Sequence, residues 1–301
     1  MNPKPRIAVS RERFPWRKSV TVCIAARCRM GNKKHGLVTV SDTKLSAGHY
    51  SGEMATLKIR HLSTQWKCLV AGTFAHHVPL LDRITTAIDR DTSREKLEKV
   101  CTAAFIAENK RVAEETVLAT FGLTLEQFLK SRKDLGDSLF ERTWADISRI
   151  KIDCQLLMCG FDSNPHVFVV ENPEGNKVGF VTDCDFPGFA AIGSGTYLAE
   201  STLFALHQNP STSLEETICI TMFAKFAAEA ATDVGRETYL TAFTADGSIE
   251  FDNVFTLETD LRKQWDQHGR PRAPEGAMAV ISAHIKTKPN PSVAQTSEPE
   301  P

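Results

Sequence analysis

The sequence has no long uninterrupted apolar run, no block of like charge and no cysteine pair at zinc-knuckle spacing, and each absence removes a class of function. Its most apolar stretch, Thr217 to Ala231, is broken by Lys225 and Glu229. That falls short of the roughly 20 residues a membrane-spanning helix needs. Thirty-six Lys and Arg stand against thirty-seven Asp and Glu, for a formal net charge of -1. Without a run of one sign, no nucleic acid and no anionic membrane surface is implied as a partner. The eight cysteines (Cys23, Cys28, Cys68, Cys101, Cys154, Cys159, Cys184 and Cys219) are scattered, mostly through apolar segments. They read as reduced core thiols, not as a zinc knuckle or a redox motif. His76 and His77 are adjacent, so on a helix they diverge and cannot clamp a metal. No metal and no cofactor is implied. Met1 to Lys18 is basic but lacks the apolar centre of a secretory signal, which places the protein in the cytoplasm.

What is present is the composition of a globular protein with a sizeable core: 301 residues, 42% hydrophobic and 24% charged. Thr21 to Ala26 and Leu37 to Ser41 are β-rich runs separated by the turn-forming stretch Met30 to Gly36, a first hairpin. A strand at Cys68 to Ala71 ends at Gly72, and a helical region follows from about Pro79. Thr92 with Glu95, and Thr124 with Gln127, give capping-box signals for two more helices. Gln155 to Cys159 and His166 to Val170 form a second hairpin through Asp162 to Pro165. Phe189 to Ile192 runs into Gly193-Ser194-Gly195. Helices follow from about Tyr197 and from Ser213, and a last hairpin joins Tyr239 to Thr244 with Ile249 to Phe251. Hairpins segregated from helix pairs argue for antiparallel sheets covered by helices and against a doubly wound parallel sheet. The tail from Thr287 to Pro301 has four prolines and no aromatic residue, so it reads as disordered.

Several of these segments, in order, resemble the proteasome β-subunit superfamily. They are Thr21-Val-Cys-Ile-Ala-Ala, Ser41-Asp42, Lys58-Ile59, Val70-Ala71-Gly72, Cys154 to Asp162 with His166 to Val170, and Ile192-Gly193-Ser194-Gly195. The opening is most similar to the bacterial members, of the HslV or ancestral β-subunit type. The resemblance implies an α+β fold, a four-layer αββα sandwich of antiparallel sheets, the N-terminal nucleophile (Ntn) hydrolase fold, over residues 21–286. Residues 1–20 are then an extension and 287–301 the tail. It implies that Thr21 is both nucleophile and, through a free α-amine, general base. Asp42 and Lys58 fall at its acidic and basic partners, Gly72 at the oxyanion amide, and Ser194 and Asp233 at accessory positions. The sixteen residues from Asp42 to Lys58 match the family spacing without a gap. Two departures stand out: the first hairpin is longer than the family's, and Arg236 replaces a serine of the accessory set. The resemblance further implies a peptide or amide substrate, a homo-oligomer and an ATP-dependent unfoldase as partner.

The chemistry fits the residue types. A threonine hydroxyl is a poor nucleophile at neutral pH, and a free α-amine with a pKa of about 7.7–8.0 is a matched base. Like-charge repulsion from Lys58 would favour the neutral amine, and Asp42 would offset the cost of holding that ammonium. Ser19 and Cys23 are rival nucleophiles; a non-catalytic scaffold and a small-molecule amidase are rival functions. Thr21 reaches the N-terminus either by autocleavage after Val20 or by initiation at a GTG codon read here as Val20.

Overall fold

A computed structural model of the chain describes residues 21–31, 34–47, 50–53, 58–173, 178–231 and 234–269. The expected extension with Ser19, the tail and Asp233 lie outside the described residues. Strands β1 (Cys23–Met30) and β2 (Lys34–Asp42) form the first hairpin, and β3 (Lys44–Ala47) with β4 (Tyr50–Glu53) a small second one. Strands β5 (Ile59–His61) and β6 (Trp66–Gly72) lead into helices α1 (Phe74–Ala87) and α2 (Arg94–Thr116). Short helices α3 (Leu125–Lys130), α4 (Arg132–Leu135) and α5 (Asp137–Ser148) precede β7 (Cys154–Phe161), β8 (Pro165–Glu171), β9 (Phe180–Asp183) and β10 (Phe189–Ile192). Helices α6 (Thr196–Ala205) and α7 (Leu214–Ala228), strands β11 (Thr238–Thr244) and β12 (Gly247–Ile249), and helix α8 (Val254–Gln264) complete the order.

The fold is α+β with two five-stranded antiparallel sheets. One runs β10-β1-β2-β11-β12 and the other β5-β6-β7-β8-β9. Side chains alternate across each strand, and both faces of the central strands are buried. In β1, Cys23 and Ala25 meet Leu69, Ala71 and Leu157 of the other sheet, while Ile24, Ala26 and Cys28 meet Leu203, Met222 and Phe226 of α6 and α7. In β6, Leu69 and Ala71 face the first sheet, while Trp66, Cys68 and Val70 face Leu80, Leu97 and Phe105 of α1 and α2. This is why these strands read as continuous apolar runs. Each large side chain so buried contributes about 1.5–3 kcal/mol, and truncating one such as Leu69 to alanine costs about 2–5 kcal/mol.

All eight cysteines are free, and six are buried. Two helix starts differ from expectation. Helix α2 is capped by Ser93, whose side chain accepts from the Lys96 amide, because Thr92 turns back to hydrogen-bond with Asp89. Helix α1 begins at Phe74 and carries Pro79 in its interior. The Thr124–Gln127 capping box is present in full. Among the described residues no helix is long and apolar enough to cross a membrane.

Candidate active site

Thr21 and Val22 lead directly into β1, and Asp42 is the last residue of β2. The hairpin register, with Cys23 opposite Ser41, sets Asp42 beside Val22, and the Asp42 amide donates to the Val22 carbonyl at 3.2 Å. Asp42 is completely buried and collects four donors. Its Oδ1 accepts from Thr21 Oγ1 at 2.9 Å, from the Val22 amide at 2.9 Å and from Lys58 Nζ at 2.7 Å. Its Oδ2 accepts from the Gly235 amide at 3.0 Å. Lys58 Nζ also donates to Thr21 Oγ1. The Lys58 backbone is fixed alongside β6, where the Val70 amide donates to its carbonyl at 2.9 Å. Thr21 and Lys58 are themselves buried. Taking either charge out of water alone would cost several kcal/mol, which the close pair and the added donors offset.

The loop after β10 closes on Thr21 from the other side. Ser194 Oγ accepts from the Thr21 nitrogen and donates to the Thr21 carbonyl, both at 3.2 Å. The Gly195 amide donates to the same carbonyl at 3.1 Å. Gly193, at φ +96, lies so close that a Cβ there would fall 2.4 Å from the Thr21 carbonyl oxygen and 2.5 Å from its Cγ2. Only glycine fits both the conformation and the space.

Gly72 ends β6 at φ +114, where a Cβ would meet the Asp153 carbonyl oxygen at 2.3 Å. It lies two residues beyond Val70, whose carbonyl accepts the Cys23 thiol at 3.6 Å, so β6 carries it along the strand next to β1. Thr21, Asp42, Lys58 and Ser194 therefore form one hydrogen-bonded set, and Gly72 stands at the end of the neighbouring strand of the facing sheet. The Arg236 side chain is exposed, and its carbonyl receives Lys225 Nζ and Arg262 Nη2.

The environment of Cys23 disfavours that rival as an activated nucleophile. Burial pushes its thiol up to about 12, with Lys58 opposing and Asp42 adding to the shift. A thiol so held carries almost no thiolate at neutral pH and is inert. His76 contacts Glu108 at 3.0 Å, while the neighbouring His77 is buried and its burial disfavours the imidazolium. Among the described residues no group of three or more His, Cys, Asp or Glu could hold a metal ion.

Two contributors were not anticipated from the sequence. Gly235 acts through its backbone amide, which carries no side-chain signal. Gln155 accepts from the Gly193 amide at 3.0 Å and donates to Glu171 at 2.7 Å. Its trace in the sequence is a polar residue inside the apolar run Cys154-Gln155-Leu156-Leu157.

No protein-family model matches the chain. No curated protein matches its sequence. Solved structures do match. The chain resembles the Gly-1 mutant of Anbu from Hyphomicrobium sp. strain MC1 at 13% identity, with a TM-score of 0.51, over 90% of this chain and 100% of that one. It also resembles eukaryotic HslV from Trypanosoma brucei at 15% identity, with a TM-score of 0.45, over 74% of this chain and 99% of that one. At this identity the likeness to Anbu shows a shared fold and nothing beyond it.

Proposed function

We propose that the chain is a threonine-type amide or peptide hydrolase of the proteasome-like superfamily, in its bacterial branch. Its domain spans residues 21–286 in a four-layer αββα arrangement. The observation that carries this reading is the set in which the Thr21 hydroxyl meets the buried Asp42 and Lys58 while the Thr21 nitrogen meets the exposed Ser194.

Once the Val20–Thr21 bond is absent, that nitrogen is a primary amine able to take the Oγ1 proton as the oxygen bonds to the scissile carbonyl carbon. Lys58, donating to the same oxygen, stabilises charge developing on it. The Gly72 amide is assigned to the oxyanion, a contribution of about 3 kcal/mol. Collapse breaks the carbon–nitrogen bond, and the leaving amine takes the proton held by the Thr21 amine. Water then hydrolyses the threonyl ester and restores the hydroxyl. Asp233 belongs to the same proposal as an accessory residue, as do a homo-oligomer, an ATP-dependent unfoldase and a cytoplasmic location.

The test is covalent labelling of a chain prepared to begin at Thr21. A β-lactone should add once to wild type, at Thr21, and not at all to Thr21→Ala. A folded chain that begins at Thr21 and stays unlabelled would favour the non-catalytic scaffold.

A further inference from the structure

We propose that Gln155 is a positioning residue for the nucleophile. It fixes the Gly193 amide and thereby holds the Ser194 hydroxyl against the Thr21 nitrogen. The inference rests on the threonine-hydrolase reading above.

Gln155 lies on β7, paired with Ala71 of β6 and Glu171 of β8. Alternation along β7 puts it on the same face as Leu157 and Cys159, which belong to the apolar core between the sheets. A polar side chain on that face needs partners. It finds them at the end of the sandwich where β6 finishes in Gly72. Its Nε2 donates to Glu171 Oε2 at 2.7 Å and its Oε1 accepts from the Gly193 amide at 3.0 Å. A carboxylate only accepts and a backbone N–H only donates, so the two partners leave the side-chain amide a single orientation. Glu171 sets Gln155, and Gln155 sets Gly193.

Gly193 is the residue whose backbone lies against Thr21, and Ser194 follows it immediately. A base must keep its lone pair free while its N–H groups are held. Ser194 Oγ does this by accepting from the Thr21 nitrogen while donating to the Thr21 carbonyl. The position of that hydroxyl follows the position of Gly193. A tie from the second sheet therefore fixes the geometry of a base on the first. Displacements of about 1 Å in such a set cost up to about a hundredfold in rate.

The experiment uses the chain beginning at Thr21 and compares wild type, Gln155→Leu, Gln155→Glu, and the swapped pair Gln155→Glu with Glu171→Gln. In Gln155→Leu, kcat should fall about tenfold to a hundredfold, with KM within about twofold of wild type. β-Lactone labelling of Thr21 should slow in step, and the acid limb of the pH–rate profile should move because the amine has lost its fixed partner. A purely structural loss would lower the labelled fraction without moving that limb. The swapped pair keeps both hydrogen bonds and should recover most of kcat, whereas Gln155→Glu alone sets two carboxylates against each other and should not. A folded Gln155→Leu with wild-type kcat and pH limb overturns the inference, as does a folded swapped pair no better than Gln155→Glu. Where Gln155→Leu does not fold, the swapped pair and Gln155→Glu decide. An unlabelled wild type removes the hydrolase reading and this inference with it, while a labelled wild type with an unchanged Gln155→Leu removes this inference alone.

Discussion

Replacing Lys58 by methionine tests the electrostatic construction of the site without reference to activity. The side chain keeps its approximate length but loses the ammonium, so Asp42 remains buried with Thr21 Oγ1, the Val22 amide and the Gly235 amide as its donors and no cation. Breaking a buried pair from one side costs about 3–5 kcal/mol, because the charge left behind is uncompensated. For a chain of this size about 1 kcal/mol corresponds to about 2–4 °C in melting temperature, so Lys58→Met should melt about 6–20 °C below wild type. Adding Asp42→Asn removes the stranded charge. The double variant should therefore be less destabilised than the two single changes added together, with a coupling of up to about 3 kcal/mol. Denaturant titrations of the four proteins at neutral pH measure both quantities. If Lys58→Met costs less than about 1 kcal/mol, as an exposed pair would, the buried-pair account is wrong.

Lys225→Met supplies the contrast: its partner Glu229 keeps a two-pronged bond from Arg262 at 2.7 and 2.9 Å, so the change should cost about 1.5 kcal/mol or less in the same titrations. Gly193→Ala should cost at least about 1–3 kcal/mol from backbone strain alone and abolish β-lactone labelling, because its Cβ would displace Thr21; a labelled, wild-type-stable protein would contradict the close approach. His166 is disfavoured as a cation by its burial, but hydrogen bonds to Asp185 and Asp162 outweigh this and raise its pKa. The folded value lies above the unfolded one, so its contribution is complete below about pH 6.5 and lost as the pH rises through the folded value. Unfolding free energies at about pH 6 and about pH 8 should thus differ more in wild type than in His166→Gln, and equal differences would refute the assignment.

How much of this was legible in the sequence follows from how each contact is made. The pairing of Thr21 with Asp42 was legible only through the resemblance, and the structure supplies its physical basis: both lie on one hairpin, where a fixed register converts sequence distance into spatial distance. The strands were legible through their apolar runs, and the 154–170 hairpin through its turn residues. Gly235 was not legible: it reaches Asp42 from 193 residues away through an amide that any residue but proline could offer. Gln155 was hidden for a related reason, since one of its partners is a backbone amide on the other sheet. The capping box at Thr124 opens only the six-residue α3, and beyond it Gly136, at φ +73, divides α4 from α5. Thr92 and Ser93 are both capping residues by type, and only the competing bond to Asp89 selects Ser93.

Under the proposed function, the arrangement would let a threonine beside a cysteine be the reactive residue, although a thiol is intrinsically the better nucleophile. Alternation along β1 sends Cys23 into the core between the sheets, while Thr21, just ahead of the strand, meets the charged pair. Burial acts on the two groups in opposite ways. It raises the cost of forming a thiolate at Cys23. At Thr21 the hydroxyl needs no standing charge, because it can lose its proton as the new bond forms, provided a base and a cation are held against it. Asp42 holds that cation, and its four donors come from the residues at the head of β1, the approach to β5 and the segment before β11. A change in any of those segments is felt at the Thr21 hydroxyl, so the stability of the first sheet and the geometry of the proposed nucleophile cannot be altered independently.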